Sequence, residues 1–424
     1  MWVAIFSSLL AILCFFKTSN FSDYIFKITL FFWLAILILS ELNISDLYSV
    51  SDYVYFLFLG FLLFYFFGFF SLKSIKNKCN FLGFYEQARI ININLAYHLI
   101  SFFYLIILSY FLYKYFQVFS YIESAAEVRE KRFEVGGMFV NGYSVAIYNY
   151  VISSGIWIYK FLLIFSLVFG VSKYKYFFIY GLIACLMYYF IGAGRILVIE
   201  LALFYFILMC FNKKILGQVS FFKNFIFIFI CLFMFVIGTY IRVSNESLSF
   251  GLFYNMVVDS FDQSNIYLTG SFRAFDYSIQ NFEFLKYGFG ILTFSGFENI
   301  LFNILNVLGV SKDPYLYTWG RLLSDPILIG NNQSFNALYT GLFNFYFDFG
   351  IGGVLFFGYI LGVLNKISLN FCFNSEFNIW KLFLVCCFFS ASVLIVLSLK
   401  FNASLIIVMV LAIFLSYKMK VIKK

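Results

Sequence analysis

A row of polar residues near position 340 interrupts an otherwise apolar stretch of the sequence. Its members lie four residues apart: Asn332, Asn336, Thr340, Asn344 and Asp348. Positions four apart fall on one ridge of an α-helix, so the spacing predicts a single polar ridge. A helix at membrane depth must turn such a ridge toward protein or a watery cavity, because lipid cannot satisfy polar groups. We therefore expect the last four members to line a catalytic cavity, where they would contact the substrate.

Four arginines near predicted membrane boundaries form a second group of candidate site residues: Arg195, Arg242, Arg273 and Arg321. Arginine stays charged at any relevant pH, and its planar guanidinium binds two phosphate oxygens at once. A pyrophosphate presented at the membrane surface needs such cations, both for binding and for stabilising the departing charge. The alternative is that these arginines pair with neighbouring Glu and Asp residues and only fold the segment.

The remaining chemistry falls to carboxylates and aromatic rings. The sequence contains no Walker A motif, GxSxG or DxD, and its only histidine, His98, lies in a predicted span. ATP-driven and metal-centred mechanisms are therefore disfavoured, and we expect neither a metal nor a cofactor. A general base would have to be a carboxylate, and Asp348 and Asp325 are the first choices. Trp319 offers an aromatic face that suits a sugar ring.

The composition is typical of a protein with many membrane spans. Of the 424 residues, 63% are apolar and only 12% are charged, about half the charged fraction of an average soluble domain. Apolar runs of roughly 20 residues recur along the chain. We predict an all-α fold with about eleven (10–12) transmembrane helices. The net charge of +9 does not indicate nucleic-acid binding, because the lysines lie in short loops between spans.

The apolar runs predict spans at 1–16, 25–40, 53–72, 92–113, 146–169, 176–192, 196–212, 222–241, 345–365, 379–399 and 403–417. They define three regions: an N-terminal membrane bundle at 1–241, a large external loop at 242–344 and C-terminal spans at 345–424. Within the loop, 251–262 and 291–310 are predicted to be amphipathic helices on the outer leaflet, and 311–335 is predicted to be irregular.

Charge differs sharply between alternate loops. One side of the membrane receives seventeen lysines and arginines against three acids, whereas the other side is acidic. By the positive-inside rule, the lysine-rich side is cytoplasmic, so the large loop and the acidic loop 41–52 are external.

Glu200 lies inside a predicted span, where a carboxylate is costly unless it is paired or functional. We expect it to face the bundle interior near Arg195 or Lys160, either as an ion pair or as a substrate contact.

One stretch of the chain resembles a known family. The run Asn336-Ala-Leu-Tyr-Thr, the run Phe-Tyr-Phe-Asp348-Phe-Gly350-Ile-Gly-Gly353, and the following Gly358 and Gly362 resemble the late motif of O-antigen polymerases. This is the Wzy, or oligosaccharide repeat-unit polymerase, family. The GAGR turn that ends at Arg195 is similar too.

The resemblance implies a multi-pass enzyme of the bacterial inner membrane. Such an enzyme polymerises undecaprenyl-pyrophosphate-linked repeat units on the periplasmic side, by glycosyl transfer that needs no metal. The resemblance also implies that periplasmic arginines are key residues. Its expected partners are membrane lipid and lipid-linked glycans, and a chain-length regulator protein is a further candidate partner.

Two rival functions remain open. An O-antigen ligase would be expected to carry a histidine in the large loop, and this sequence has none there. A lipid-linked oligosaccharide flippase or other transporter would need charged residues along its spans, for which Lys160 and Glu200 are the candidates.

Overall fold

The computed structural model describes residues 2–3, 6, 21–44, 46–73, 95–119, 139, 142–192, 195–216, 227, 229–231, 233–234, 250–281, 288–309, 326–331, 333–336, 340–373, 378–399 and 401–421. The chain divides into two compact units, Met1–Cys79 with Asp262–Ile406, and Asn80–Phe261 with Ile407–Lys424. Both are built mostly of helices, which confirms the predicted helical character.

The described helices are α1 (Phe21–Glu41), α2 (Asp52–Ser71), α3 (Leu95–Phe119), α4 (Gly142–Ala146), a π-helical turn (Ile147–Ile152), α5 (Ser153–Phe169), α6 (Lys175–Gly192), α7 (Arg195–Leu216), α8 (Phe250–Asn281), α9 (Ser295–Val307), α10 (Gly341–Phe373), α11 (Ile379–Leu394) and α12 (Ala403–Val421). Strands β1 (Pro326–Gly330) and β2 (Gln333–Asn336) form an antiparallel hairpin. The all-α prediction therefore needs this one correction.

Four stretches within the described residues are long and apolar enough to cross a membrane: α2, α3, the continuous segment Tyr143–Phe169, and α10. Shorter apolar helices lie within α6, α7, α11 and α12. Each of these overlaps a predicted span. The predicted spans 1–16 and 222–241 fall largely outside the described residues.

Helix α10 is longer than the sequence predicts. It continues to Phe373, so Lys366 lies inside the helix and is 1% exposed, although the sequence placed it in a loop. Its ammonium nitrogen lies 4.6 Å from the centre of the Phe69 ring. The apolar stem of lysine can extend along neighbouring apolar surface, so a single lysine does not end a helix here.

Glycines bring α2 and α10 into close contact. The two helices run parallel, with Tyr53 beside Tyr346 near their first residues and Tyr65 beside Gly362 further along. A Cβ on Gly362 would lie 2.2 Å from the Tyr65 carbonyl oxygen, and one on Gly358 would lie 2.7 Å from the Phe61 carbonyl oxygen. Small residues four apart permit this backbone approach between membrane helices. The glycines of the late motif thus have a packing role.

A buried amide adds a polar connection to this packing. The Asn365 side chain of α10 donates to the Tyr65 hydroxyl of α2 at 2.8 Å and to the Ser392 hydroxyl of α11 at 2.7 Å. Asn365 is 1% exposed. Because polar groups in an apolar interior must find partners, these bonds fix how the three helices face each other.

We predict that Gly362→Ala destabilises the protein by about 1–3 kcal/mol, since the added methyl group meets backbone atoms of α2. Gly352→Ala, on the same helix, is the matched control, because a Cβ there has no atom within 4 Å. It should be neutral or stabilise by up to about 1 kcal/mol. Thermal unfolding of the purified protein in detergent measures both. Equal melting temperatures for the two variants would contradict the glycine contact.

The other unit holds the predicted partner of Glu200. Its carboxylate in α7 forms an ion pair with Lys160 in α5, and the two residues are 6% and 1% exposed. The Lys160 ammonium nitrogen also lies 3.6 Å from the centre of the Trp157 ring. The expectation that Glu200 faces inward near Lys160 is confirmed.

Helix α8 corrects the prediction for the large loop. The predicted helix 251–262 continues to Asn281, and the predicted helix 291–310 is a turn followed by α9. Beyond residue 262 the helix carries a polar ridge, formed by Asn265, Thr269, Arg273 and Asp276, that recurs at helical spacing.

Candidate functional site

The α8 ridge holds the connection between α1 and α2. The Asn265 side-chain amide donates to the Ile44 carbonyl oxygen at 3.1 Å. Arg273 donates from Nε to the Tyr48 carbonyl oxygen at 2.7 Å, and from Nη2 to the Asn43 side-chain oxygen at 3.0 Å. Residues 42–44 and 46–51, which we call the α1–α2 loop, are thus fixed along one face of α8.

Asp276 fixes the far end of the same loop. Its carboxylate accepts from the Ser51 backbone N–H at 2.8 Å and from the Ser51 hydroxyl at 2.6 Å. Ser51 directly precedes the first residue of α2. One turn earlier on α8, the Phe272 ring stacks on Phe58 of α2, with ring centroids 4.0 Å apart. The start of α2 is therefore set by α8.

The β-hairpin pairs with the α1–α2 loop through backbone groups. The Tyr48 N–H donates to the Ile329 carbonyl oxygen at 2.9 Å, and the Asn331 N–H donates to the Asp46 carbonyl oxygen at 3.1 Å. Leu47 pairs with Gly330 as an antiparallel bridge. Both segments were predicted to be external, and these contacts place them side by side.

Arg273 is the predicted site residue with the most complete set of partners. It is 4% exposed, and two further N–H groups donate to the carbonyl oxygens of Thr269 at 3.1 Å and Ser40 at 3.2 Å. Burial lowers the pKa of its guanidinium to about 10, so it remains charged at neutral pH. Four of its five N–H groups are used by these bonds. They make Arg273 a positioning residue for the α1–α2 loop, and direct contact with a pyrophosphate stays a prediction.

Asp348 is also buried and also holds a segment of backbone. It is 0% exposed, and its two oxygens accept from the backbone N–H groups of Thr293 at 2.6 Å and Leu292 at 3.4 Å. The Gly288 N–H donates to the carbonyl oxygen of Phe347, the preceding residue, at 3.2 Å. Residues 288–294, which we call the 288–294 turn, are thereby fixed against the first part of α10.

A break in α10 follows two residues after Asp348. Gly350 has φ 64° and ψ −154°, a combination that is open to glycine and strained for other residues. The helix resumes beyond it and continues to Phe373. Interrupted helices at membrane depth occur where backbone is shielded by protein or lines a cavity, and they recur at binding sites.

The predicted polar ridge is only partly helical. Asn336 belongs to strand β2, and Thr340 precedes α10, where its hydroxyl oxygen accepts from the Leu342 N–H at 3.2 Å. The Thr340 hydroxyl also donates to the Ile395 carbonyl oxygen at 3.1 Å. Asn344 and Asp348 do lie on α10, and the Asn344 amide donates to the Leu292 carbonyl oxygen at 3.4 Å. The single ridge from 332 to 348 is therefore wrong, because the chain forms a strand before it forms the helix.

Several predicted site residues have no structural description. Arg242, Trp319, Arg321 and Asp325 lie outside the described residues, as does the side chain of Arg195, the first residue of α7. Among the described ones, Arg273 and Asp348 belong to the same unit but hold different segments. The structure adds Ser51, Asp276 and Thr293, which the sequence analysis missed. Only Asp276 had a visible signal, as the continuation of the α8 ridge.

A pair of tyrosines adds hydroxyl groups at the start of α2 and α10. The Tyr53 hydroxyl donates to the Tyr346 hydroxyl at 3.1 Å, and Tyr53 is 38% exposed. Tyr346 in turn packs edge-on against Phe275 of α8, with centroids 5.7 Å apart. These hydroxyls, the α1–α2 loop and the hairpin form a polar assembly beside the first residues of two parallel apolar helices, which we call the polar cap.

We predict that Asp348→Asn loosens the 288–294 turn. The asparagine side chain keeps one acceptor oxygen but presents N–H donors to the second backbone N–H, and an unsatisfied buried group costs about 1–3 kcal/mol. Asp46→Asn is the control, because its side chain is exposed, and surface changes usually stay within about 0.5 kcal/mol. Thermal unfolding and limited proteolysis near residue 290 measure the difference. Unchanged melting and cleavage in Asp348→Asn would contradict this role.

Among the described residues, no group of three or more His, Cys, Asp and Glu side chains could hold a metal ion. Polar groups that could contact a ligand are instead the hydroxyls and amides of the polar cap.

Comparison with family models, with curated proteins and with solved structures finds no match for this chain.

Proposed function

We propose that this chain is a membrane glycosyltransferase that polymerises undecaprenyl-pyrophosphate-linked oligosaccharide repeat units into an O-antigen-type polysaccharide. The observation that carries the proposal is the polar cap, which lies where α2 and α10 begin and is held in place by side chains of α8. An enzyme that joins lipid-linked sugars needs apolar helices to stay in the membrane and a fixed polar surface at one end to receive the glycan. The resemblance of residues 336–362 to repeat-unit polymerases supports the same assignment.

In this proposal the residues divide into positioning and reacting groups. Arg273 and Asp276 fix the α1–α2 loop, and Asp348 fixes the 288–294 turn. Both oxygens of Asp348 already accept hydrogen bonds, which favours Asp325 as the general base that activates the acceptor hydroxyl. The growing glycan on its lipid pyrophosphate is the donor.

The other arginines have charge-stabilising roles in the proposal. Arg321, which belongs to the same unit as Arg273 and Asp348, binds the pyrophosphate, which leaves as the new glycosidic bond forms. For Arg195 and Arg242, contact with the substrate stays a prediction from the sequence. Trp319, Asn336, Thr340 and Asn344 contribute to binding the substrate. The enzyme acts on the periplasmic side of a bacterial inner membrane, with lipid-linked glycans and a chain-length regulator as partners.

Deletion of the gene followed by gel analysis of lipopolysaccharide tests the proposal. A polymerase-deficient strain should lose the ladder of long chains and keep lipid A–core capped with one repeat unit. Re-expression of the intact protein should restore the ladder. Uncapped core would instead identify a ligase or a flippase, and an unchanged ladder would exclude a role in this polymer.

A further inference from the structure

Helix α9 carries its apolar side chains outward. Phe297, Leu301 and Ile304, with Leu308 just beyond the helix, recur every three or four residues and are 58%, 55%, 54% and 72% exposed. We call these four residues the α9 stripe. Glu298 is the only charged residue of the helix, so no lysine or arginine borders the stripe within α9.

The opposite face of α9 packs against protein and holds polar atoms. Gly296 lies so close to the chain beyond α11 that a Cβ there would be 2.3 Å from the Phe401 carbonyl oxygen. The Glu298 Oε2 and Asn299 Oδ1 atoms are buried. A surface helix of a water-soluble protein has the reverse arrangement, with its apolar face turned inward. The distribution of apolar and polar side chains on α9 is therefore typical of a helix whose exposed face contacts lipid hydrocarbon.

The stripe continues into the surface of a spanning helix. Phe294, one residue before α9, packs edge-on against Phe357 of α10 with centroids 6.0 Å apart. Phe357 also contacts Phe349 and Phe356, which are 37% and 57% exposed on α10. Since α10 is long and apolar enough to cross a membrane, its exposed aromatic side chains and the α9 stripe belong to one continuous apolar surface.

We propose that α9 is immersed in one leaflet of the membrane, with the α9 stripe among the acyl chains of phospholipids. Its 13 residues extend about 20 Å, too short to cross a hydrocarbon core of about 30 Å. Helices of this kind lie at the boundary between headgroups and acyl chains. Immersion of α9 holds the adjoining 288–294 turn, and with it Asp348, at that boundary.

The boundary between headgroups and acyl chains is also where the pyrophosphate of a lipid-linked substrate lies. This link between α9 and the substrate rests on the proposed function. The α9 stripe then sets the height of the site relative to the membrane. The immersion itself depends on side-chain polarity and exposure alone, so it holds or fails independently of polymerase activity.

Collision measurements on spin labels test the immersion. A nitroxide-bearing amino acid is placed at 301 or at 304 in the full chain, which is reconstituted in phosphatidylcholine vesicles. Position 356 on α10 serves as the lipid-exposed control. Position 331 in the turn of the β-hairpin serves as the water-exposed control, because Asn331 is polar and exposed. Relaxation by oxygen, which concentrates in hydrocarbon, is compared with relaxation by a water-soluble nickel chelate.

The expected result is that labels at 301 and 304 collide mainly with oxygen, as at 356, whereas the label at 331 collides mainly with the chelate. Chelate-dominated relaxation at 301 and 304 would place α9 in water and overturn the proposal. Protection from both reagents would show that protein covers the stripe, which overturns it equally. The lipopolysaccharide gel reports on polymerisation separately, so a failure of either proposal can be told from a failure of the other.

Discussion

Glu200→Gln is expected to destabilise the protein by about 3–5 kcal/mol, because it leaves a buried ammonium group without its carboxylate. Lys160 is 1% exposed and lies between Glu200 and the Trp157 ring. A glutamine oxygen can still accept a hydrogen bond, but it cannot balance the charge. The apparent melting temperature and the yield of folded protein in detergent should both fall.

The double variant Lys160→Met with Glu200→Leu should recover most of this loss, since an apolar pair of similar volume removes both desolvated charges. Lys114→Met is the control, because Lys114 lies on the exposed side of α3 and donates to Gln117. It should change stability by less than about 0.5 kcal/mol. A double variant no more stable than Glu200→Gln would show that the pair does more than balance charge.

The same double variant separates the two roles considered for Glu200. If the chain is the polymerase proposed above and the pair is structural, the stable double variant should restore the polymer ladder to a deletion strain. If Glu200 contacts the substrate, the double variant should fold normally and make no polymer.

Under the proposed function, Arg273→Ala and Arg273→Lys are both expected to reduce the rate of polymerisation roughly 10²-fold, because a small misplacement of site groups lowers a rate by about this factor. The guanidinium reaches four acceptors on three segments of backbone and one side chain. A lysine ammonium has three donors on a single atom and cannot span them. The α1–α2 loop should therefore become mobile in both variants.

The measurements are polymer laddering, membrane abundance and protease cleavage within the α1–α2 loop. Arg132→Lys is the control. The surrounding sequence ESAAEVREKRF, with Glu127 four residues before Lys131, predicts a surface helix, where a charge pair is worth under about 1 kcal/mol; this segment lies outside the described residues. Lost ladders together with new cleavage in the loop would support positioning. Lost ladders with an intact loop would instead assign Arg273 to the substrate, and normal ladders in both variants would remove it from the site.

Composition predicts the helices of this fold because a run of apolar residues is a property of the sequence alone. Helices α2, α3, α6 and α7 appear close to their predicted positions for that reason. Their ends are less predictable. The sequence predicts that this span ends at residue 365, whereas α10 continues to Phe373 with the Lys366 ammonium against the ring of Phe69, which is distant in sequence.

The polar ridge shows where spacing stops being informative. Residues four apart share one face of a helix, but they also share one face of a strand, whose side chains alternate with a period of two. The spacing therefore could not distinguish Asn336 in β2 from Asn344 in α10. What separates them is the pairing of β2 with β1, which depends on residues earlier in the chain.

The site residues were predictable in type but not in role. The sequence indicates Arg273 because a guanidinium can bind phosphate oxygens, and Asp348 because it lies on the polar ridge and could act as a general base. Their partners are mostly backbone groups, such as the Tyr48 carbonyl and the Thr293 N–H. Every residue carries such groups, so no sequence pattern marks them, and only the folded chain shows that these side chains hold segments in place.

The parallel pairing of α2 and α10 has a consequence for biosynthesis. The two helices are separated by residues 72–340, so α2 enters the membrane long before its partner is translated. Until then the backbone groove beside Gly60 and Gly68 can be filled only by lipid or by helices that must later withdraw. Contacts between distant parts of a chain slow folding. The central helix pair of this unit therefore assembles late, and a ribosome that stops before residue 341 releases a chain whose first unit cannot close.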